Sequence, residues 1–426
     1  MGRRGPRRPL SLPSAAPAHE DPVLSLEAAA MSDRHATYFD EVEARFEQAF
    51  DFDLGLEEEF QVLEPETLAL TPGFETLRDA APPRLRERIA GELLRSEIEV
   101  STPRALHFAQ AARELLLNRA ELFALAEAQG FALGATGTHP FSSWKDQEII
   151  DTPHYRLVEE RLKYVAWRNN TWAAHVHVGV RGLDRAVAVC DALRAYLPHL
   201  LALSANSPFI EDVWTQLHSV RTQTFLRMFP RCGIPDAFGT WAEHRRFYEQ
   251  LVDTNCIQGF TQIWWGVRPH HRFGTVEVRV CDVQTEAWQS LAISALTAGL
   301  IAHLARRYDA GERPVALPTR YVEENLWRAI RNGLDGTLVD WERGAEVSAP
   351  DALRALVELA APHADRLGLT GHLEDVERML REGNGAQQQV RAHSAGATLR
   401  EAYAGTIAKA RTSAIGPSAA AKEDQA

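Results

Sequence analysis

Cysteine is scarce in this chain of 426 residues: only Cys190, Cys232, Cys256 and Cys281 occur, far apart and with no Cys-x-x-Cys pair. That spacing fits neither a disulfide framework nor a zinc knuckle, so we interpret all four as reduced thiols in a cytoplasmic protein. Long apolar runs are also missing, because none approaches the roughly 20 residues that span a bilayer. We therefore expect no membrane association.

Positive charge is in short supply. The formal net charge is −12, and no long basic stripe follows the first eight residues. Binding to a nucleic-acid backbone needs such a stripe, so we predict no nucleic-acid partner. A phosphorylated small ligand stays compatible with this charge if metal ions stand between its phosphates and the carboxylates of the protein.

Glycine-rich phosphate cradles are absent as well. The segment "GATGTHP", which starts at Gly134, lacks the Lys-Ser/Thr ending of a P-loop and the spacing of a dinucleotide fingerprint. A bound nucleotide would therefore be held through metal-bridged phosphates and arginines.

The organisation of the chain favours one large domain. We see no internal repeat and no clear linker, and we predict a single domain over residues 35–410. Composition predicts disorder for residues 1–34, which are rich in proline and arginine, and for the tail at residues 411–426. Helical patterns cover Arg84–Leu94, Arg104–Gln129 and Trp288–Arg307. Strands separated by long mixed insertions favour an α+β fold.

Four segments alternate between apolar and polar residues, as half-buried strands do: "LGLEEEFQV", "SEIEVS", "AAHVHVG" and "GTVEVRV". Glu58 is the exception, because its position places it on the apolar side, and we expect Glu58→Gln to be mild for that reason. The polar side of the four segments carries Glu57, Glu59, Glu97, Glu99, His175, His177, Glu277 and Arg279.

So many carboxylates on one surface are costly unless cations neutralise them. Carboxylate oxygens combined with imidazole suit Mg²⁺ or Mn²⁺. Taken singly, an acidic run is more often a solvated face, His-x-His often faces water, and Val-Glu-Val-Arg is more often an exposed ion pair. The combination leads us to the hypothesis that the four strands form one polynuclear metal site.

Several segments together resemble the glutamate–cysteine ligase type 2 family, the carboxylate–amine ligases of the glutamine-synthetase-like superfamily. They are "GLEEEF", "SEIEVSTP", "HVHVGV", "LLALSANSPF", "WWGVRPHHRFGTVEVRVCDVQT" and "ENLWRAIRNGLDGTLVD", in that order along the chain. The resemblance implies a curved, mainly antiparallel sheet, flanked by helices, whose concave face binds two or three Mg²⁺ ions and ATP.

Carried over by position, the resemblance assigns a role to each motif residue. Arg279 and Glu277 are implied in catalysis, Arg279 and His177 in ATP binding, and Arg221 in holding the acid substrate. Glu97 and Asp282 are weaker candidates. The implied metal ligands are Glu57, Glu59, Glu99, His175 and Glu277.

The implied reaction joins glutamate, or a similar acid, to cysteine or another amine in a homodimeric enzyme. The pair Ala173-Ala174 stands where relatives often have a glycine, and the loop "RMFPRCGIPDAFGTW" does not identify the amine. Two alternatives stay open. His-x-His on a strand also occurs in metal-dependent amidohydrolases, and a non-catalytic relative could bind nucleotide for regulation.

Overall fold

The computed structural model describes residues 37–257, 259–313 and 316–415. Within these ranges the strands are β1 (Leu54–Leu63), β2 (Ile89–Ala90), β3 (Glu97–Ser101), β4 (Ala132–Gly134), β5 (Ala173–Gly179), β6 (Phe209–Ile210), β7 (Val213–Trp214), β8 (Cys232–Gly233), β9 (Trp264–Trp265), β10 (Val267–His270), β11 (Thr275–Asp282), β12 (Thr337–Asp340) and β13 (Ala345–Ser348).

The helices in the same ranges are α1 (37–47), α2 (Phe74–Ala80), α3 (Pro83–Arg86), α4 (Phe108–Ala128), α5 (Pro153–Leu162), α6 (Tyr164–Trp167), α7 (Leu183–Leu193), α8 (Leu197–Ser204), α9 (Val220–Met228), α10 (Trp241–Asp253), α11 (Ala287–Asp309), α12 (Thr319–Asn332), α13 (Ala349–Leu367), α14 (Thr370–Glu382), α15 (Gly385–Ser394) and α16 (Leu399–Ile415).

One large sheet dominates the described ranges. Its strand order is β10-β11-β5-β1-β3-β2, with β4 also pairing with β1, and every pairing in it is antiparallel. Helices pack against this sheet, so the predicted α+β class with a mainly antiparallel sheet is confirmed. The longest alternating segments of the sequence became its central strands, because each can bury one face and leave the other for polar groups.

The apolar face of the sheet forms the core with the surrounding helices. Leu56, Val176 and Val276 belong to a large hydrophobic cluster that includes α7, α8 and α11. Further along β1, Phe60 packs with Ile98 in a second cluster that includes residues of α4. The predicted alternation therefore holds on both halves of β1.

Glu58 lies on this apolar face, between residues of the two clusters, and is only 2% exposed. Arg119 of α4, itself fully buried, donates hydrogen bonds of 2.7 Å and 2.6 Å to its two carboxylate oxygens. The Ser290 hydroxyl donates a third bond of 2.5 Å. The parity prediction for Glu58 is thus right. Because the carboxylate neutralises a buried guanidinium, the structure leads us to expect a loss of stability from Glu58→Gln in place of a mild change.

The predicted helix Arg84–Leu94 is also wrong in its extent. The helix ends at Arg86, and residues 91–96 run irregularly along the segment near residue 150. Ile150 N–H donates to the Leu93 carbonyl at 3.0 Å, and Arg95 N–H donates to the Glu148 carbonyl at 2.9 Å. These long-range bonds satisfy the backbone in place of a helix.

The two predicted disordered ends compare differently with the structure. Residues 1–34 lie outside the described residues. The tail predicted from residue 411 is wrong for residues 411–415, since α16 continues to Ile415. Ala410 and Ala414 are buried in the second cluster, and the Ser413 hydroxyl accepts a 3.0 Å hydrogen bond from Ala287 N–H. These contacts hold the last turns of α16 against the start of α11.

Two stretches, Leu183–Ser204 and Ala287–Asp309, are long and apolar enough to cross a membrane by length and composition. Their most apolar windows are 72% and 89% buried inside the protein. Both stretches pack against the sheet, so core packing accounts for their composition.

Candidate active site

The polar face of the sheet brings together side chains from four distant parts of the sequence. Glu57 on β1 lies opposite His175 on β5, and Glu59 lies opposite Glu99 on β3. On the other side of β5, His177 lies opposite Glu277 of β11. The strand alternation predicted this shared face, and the register explains why the groups come close.

Two imidazoles lie among the carboxylates. His175 Nδ1 donates to Glu57 at 3.1 Å, and its Nε2 lies 3.7 Å from Glu59 Oε1. His177 Nε2 lies 3.3 Å from Glu57 Oε1 and 3.8 Å from Glu277 Oε1. The Thr275 hydroxyl, 3.0 Å from His177 Nδ1, fixes the orientation of that ring.

Two guanidinium groups converge on Glu277. Arg279, two residues further along β11, donates to its Oε1, and Arg268 of β10 donates to both of its oxygens. The sequence patterns do not identify Arg268 as a site residue. It lies directly opposite Glu277 in the β10–β11 hairpin, so counting back across the turn at residues 271–274 would have found it.

A cavity of about 470 Å³ opens on this face. Glu92 contributes to its wall from the irregular segment before β3 and shares a hydrogen bond with Glu99. The sequence patterns do not identify Glu92 as a site residue. No periodic pattern marks Glu92, which explains the omission. The charged and polar side chains of the wall include Glu59, Glu92, Glu97, His175, Arg221, Arg268 and Arg279.

Five of the carboxylates of the site fall into two groups by pKa. Burial opposes the charge of Glu57, yet the charge of His177 and hydrogen bonds from both histidines hold its pKa well below the usual range. Glu277 behaves alike, since Arg268 and Arg279 outweigh burial and lower its pKa. These two groups are therefore anionic near neutral pH.

The other three carboxylates lack such partners. Burial together with the charge of Glu59 raises the pKa of Glu92 to about 7. Burial and neighbouring carboxylates raise the pKa of Glu97 and Glu99 well above the usual range. Glu97 Oε2 is buried and has no hydrogen-bond partner among the described residues. This part of the site therefore carries more acid than its own cations neutralise.

The donor set fits divalent metal ions. Glu57, His175 and Glu277 place ligand atoms within 4.8 Å of one another, and so do Glu59, Glu99 and His175. The donors are carboxylate oxygens and imidazole nitrogen, which suits Mg²⁺ or Mn²⁺. All predicted metal ligands thus lie in two adjacent groups that share His175, and the unpartnered Glu97 oxygen is consistent with a cation nearby.

Arg221, which lines the cavity, forms a separate pair with Asp282 behind it. Asp282 is fully buried and accepts hydrogen bonds from Asn206 N–H at 2.8 Å and from the hydroxyls of Ser207 and Ser219 at 2.7 Å and 3.0 Å. Arg221 Nη1 donates to the Val280 carbonyl and lies 3.5 Å from Asp282. Asp282 therefore supports Arg221 and is not part of the two metal-donor groups.

The cysteines agree with the sequence interpretation, since all four are free. Cys232 alone among them borders the cavity, and burial raises the pKa of its thiol to about 12. It is a neutral group there, and the metal donor set contains no thiolate.

A family model described as glutamate–cysteine ligase family 2 matches residues 53–413. The chain belongs to glutamate–cysteine ligase family 2. The match includes all of the strands of the large sheet and every residue of the two metal-donor groups. It confirms the resemblance seen in the sequence motifs.

Two relatives within this ligase family match the chain over most of their length. A protein of Rubrobacter xylanophilus, provisionally named glutamate–cysteine ligase 2-2, is 39% identical over 337 residues, which cover 79% of this chain and 86% of that protein. A protein of Sorangium cellulosum, provisionally named glutamate–cysteine ligase 2, is 40% identical over 343 residues, which cover 80% of this chain and 91% of that protein.

Solved ligase structures share the fold. The glutamate–cysteine ligase of Francisella tularensis, solved in complex with AMP, superposes with a TM-score of 0.65 at 12% identity, covering 88% of this chain and 92% of that one. A bifunctional glutathione synthetase of Pasteurella multocida gives a TM-score of 0.64 at 14% identity, covering 89% of this chain and 55% of that one. At these identities the likeness concerns the fold alone.

Proposed function

We propose that this family member is an ATP-dependent carboxylate–amine ligase that forms a γ-glutamyl amide from glutamate, or a similar acid, and an amine such as cysteine. The observation that carries the proposal is the convergence of two metal-donor groups, which share His175, with Arg279 beside one cavity. Membership of the ligase family and the AMP complex of the Francisella enzyme support the use of a nucleotide.

The reaction solves a problem of reactivity. A carboxylate resists attack by an amine, so the γ-phosphoryl group of ATP is first transferred to it, which yields an acyl phosphate and ADP. The nitrogen lone pair of the amine then attacks the acyl carbon, the C–N bond forms, inorganic phosphate leaves and the nitrogen loses a proton. This sequence needs alignment and charge neutralisation and no nucleophile from the enzyme.

The residues of the chain would divide this work by position. Mg²⁺, or Mn²⁺ in its place, when held by Glu57, Glu59, Glu99, His175 and Glu277, supplies neutralisation of the phosphate charge. Arg279 stabilises negative charge on the transferred group, as arginines do in phosphoryl transfer. His177, oriented by Thr275, presents Nε2 toward the same cluster, and Arg221 binds the carboxylate of the acid substrate.

The direct test is an ADP-release assay with purified protein, ATP, Mg²⁺, glutamate and a panel of amines, followed by mass spectrometry of the products. We expect ADP release to require all four components and the product mass to equal acid plus amine minus water. Turnover without nucleotide would instead indicate the amidohydrolase-type reaction. Nucleotide binding without turnover across the panel would indicate a non-catalytic relative.

A second test addresses the metal. Titration calorimetry with Mg²⁺ should show binding that Glu59→Gln weakens at least tenfold, because one anionic donor is lost at the group shared with Glu99 and His175. Glu160→Gln, on the exposed surface of α5, is the matched control and should leave binding unchanged. Equal Mg²⁺ affinity in both variants would refute the ligand assignment. The same proposal includes a homodimer in the cytoplasm, which light scattering and cell fractionation can check.

A further inference from the structure

The cavity wall also has an aromatic part. Phe225, Phe229, Ile234 and Trp264 line it, with the Cys232 thiol, beside the arginines and polar residues of the same wall. The carboxylates and arginines account for phosphate, metal and carboxylate binding in the proposed function, and they leave the aromatic side chains without a role in the reaction as described above.

The side chains of the aromatic wall contact one another. The Phe225 and Phe229 ring centroids are 4.6 Å apart, and Phe229 meets Trp264 edge to face at 6.1 Å. Cys232 pairs with Trp264 between β8 and β9, and its Sγ donates to the Trp264 carbonyl at 3.2 Å. Arg231 lies 5.7 Å from the Trp264 ring. Because aromatic rings pack favourably edge to face or offset-stacked, this surface suits contact with a further ring.

The sequence of α9 fixes where the wall lies relative to the reacting centre. The Ser219 side chain caps the helix by accepting from Thr222 N–H. Arg221 and Phe225 are four residues apart, so they share one face, and at 1.5 Å per residue the Phe225 backbone lies about 6 Å further along the axis. Phe229 follows at the end of the helix. The wall thus begins one helical turn beyond Arg221.

We propose that this wall binds the side chain of the acceptor amine and that the preferred acceptor is a primary amine bearing an aryl group. The inference rests on the proposed function, in which Arg221 binds the acid substrate. Phe225 lies one helical turn from Arg221, so an amine that attacks the activated acid comes within reach of the aromatic side chains. A cysteine side chain is too short to cover three rings, whereas an aryl group one or two carbons from the nitrogen contacts them and leaves the nitrogen near the carboxylates.

Adenine is the other flat aromatic group in the reaction mixture, and it offers the same stacking chemistry as an aryl amine. The adjacency of Phe225 to Arg221 favours the acceptor, because it places the wall next to the residue that holds the acid substrate. The two sources make different predictions for the Michaelis constants, and the experiment below separates them.

The experiment compares phenylalanine and phenethylamine with cysteine and alanine as acceptors, using ADP release and calorimetric binding in the presence of a non-hydrolysable ATP analogue. We expect the aryl amines to show kcat/KM values at least tenfold above those of cysteine and alanine, as apolar pockets discriminate by 10–200-fold per group of methylene size. Phe225→Ala should raise the KM for the aryl amines at least tenfold and leave the KM for ATP within twofold.

Phe225 is half-buried, so its truncation tests the wall with little risk to folding, and Trp264→Ala provides a second variant. Phe50→Ala, 60% exposed and outside the cavity, is the matched control and should change neither constant. A rise in the KM for ATP with an unchanged amine KM would overturn the inference in favour of adenine. Cysteine turning over better than every aryl amine would also overturn it.

The experiment distinguishes failure of this inference from failure of the proposed function. Turnover of cysteine with no preference for aryl amines removes this inference and keeps the ligase. Calorimetric binding of aryl amines that depends on Phe225, without ADP release from any acid and amine, keeps the aromatic subsite and removes the ligase.

Discussion

Arg279 combines two functions in one side chain, because it neutralises Glu277 and also borders the cavity. Its Nη1 lies 3.5 Å from His175 Nδ1. Burial opposes the charge of Arg279, but the charge of Glu277 outweighs it and raises the pKa of the guanidinium, so Arg279 stays cationic throughout the range in which the protein is folded.

Arg279→Ala should therefore abolish turnover while the protein stays folded. We expect ADP release to fall by about 10³-fold, as for arginines that stabilise a transferred phosphoryl group, and the unfolding temperature to stay near that of the wild type because Arg268 still neutralises Glu277. Arg320→Ala, which removes an exposed guanidinium paired with Glu323, serves as control in both assays. Near-normal ADP release in Arg279→Ala would show that the role is misassigned.

Glu58→Gln is expected to act on stability and not on chemistry. The change leaves the fully buried Arg119 guanidinium without its counter-charge, which costs about 3–5 kcal/mol. Urea denaturation should show this loss, while Glu358→Gln, an exposed residue of α13, should stay within about 0.5 kcal/mol of the wild type. Replacing Glu58 and Arg119 together by methionine should recover much of the stability. Unchanged stability of the single variant would mean that Arg119 finds another anion.

At the scale of elements, strand periodicity predicted the site better than it predicted the helices. Alternation placed Glu57, Glu59, His175 and Glu277 on one face, and the structure brings all of them together. The period of a strand fixes which face a residue occupies whatever its neighbours are. The pairing partners are set by tertiary structure, so the contact of Arg268 with Glu277 lay beyond the pattern of either strand alone.

Irregular segments explain the remaining failures. The stretch Arg84–Leu94 has helix-forming composition, yet its backbone bonds to residues near 150 and delivers Glu92 to the cavity. Local propensity gives way to such tertiary contacts, because their hydrogen bonds and burial outweigh preferences of a few tenths of a kcal/mol per residue. Where a segment has neither helix nor strand periodicity, its sequence does not show in which direction a titratable side chain points.

The end of β5 gives a prediction at the same scale. A Cβ at Gly179 would lie 2.1 Å from Asp53 Oδ1 and 2.2 Å from the Phe50 carbonyl oxygen. These atoms cannot move freely, since Phe52 N–H donates to the Gly179 carbonyl and Gly179 N–H donates to the Asp53 carbonyl, both at 2.8 Å. Gly179→Ala should therefore lower the free energy of unfolding by about 3 kcal/mol.

Thermal and urea unfolding measure this effect. The matched control is Gly405→Ala in α16, where a Cβ meets nothing within 4 Å, and where alanine should stabilise the helix by about 0.5–1 kcal/mol. Equal stability of the two variants would show that the junction of β1 and β5 relaxes around an added methyl group.

For the whole molecule, buried neutral histidines set the response to acid. Burial lowers the pKa of His139 to about 3. Its ring is committed to the neutral form, because Nδ1 accepts from Ser142 N–H and Nε2 donates to the Leu68 carbonyl, both at 2.8 Å. Burial lowers the pKa of His244 to about 3 as well. An unfolded chain binds these protons near the ordinary value of 6.5, so stability is present above that pH and is lost as the pH falls toward 3.

His139→Gln isolates one of these protons. The variant should be less stable at pH 7, because its hydrogen bonds are imperfectly replaced. Between pH 6 and 4, the slope of its unfolding free energy against pH should be smaller than that of the wild type by about 1.4 kcal/mol per pH unit, the contribution of one proton. Denaturation at a series of pH values provides the measurement. Parallel slopes for the two proteins would mean that His139 is protonated in the folded state.

The pair of guanidinium groups on Glu277 has a consequence for how substrates enter. Arg279 is already engaged with an internal anion. In the proposed ligase reaction, a triphosphate that binds Arg279 would compete with that partner, and a divalent ion would share the oxygens that the arginines occupy. Loading is then an exchange of counter-ions and not a simple addition. Binding of either one weakens the contact that the other has to break. We therefore expect metal and nucleotide to bind with positive cooperativity.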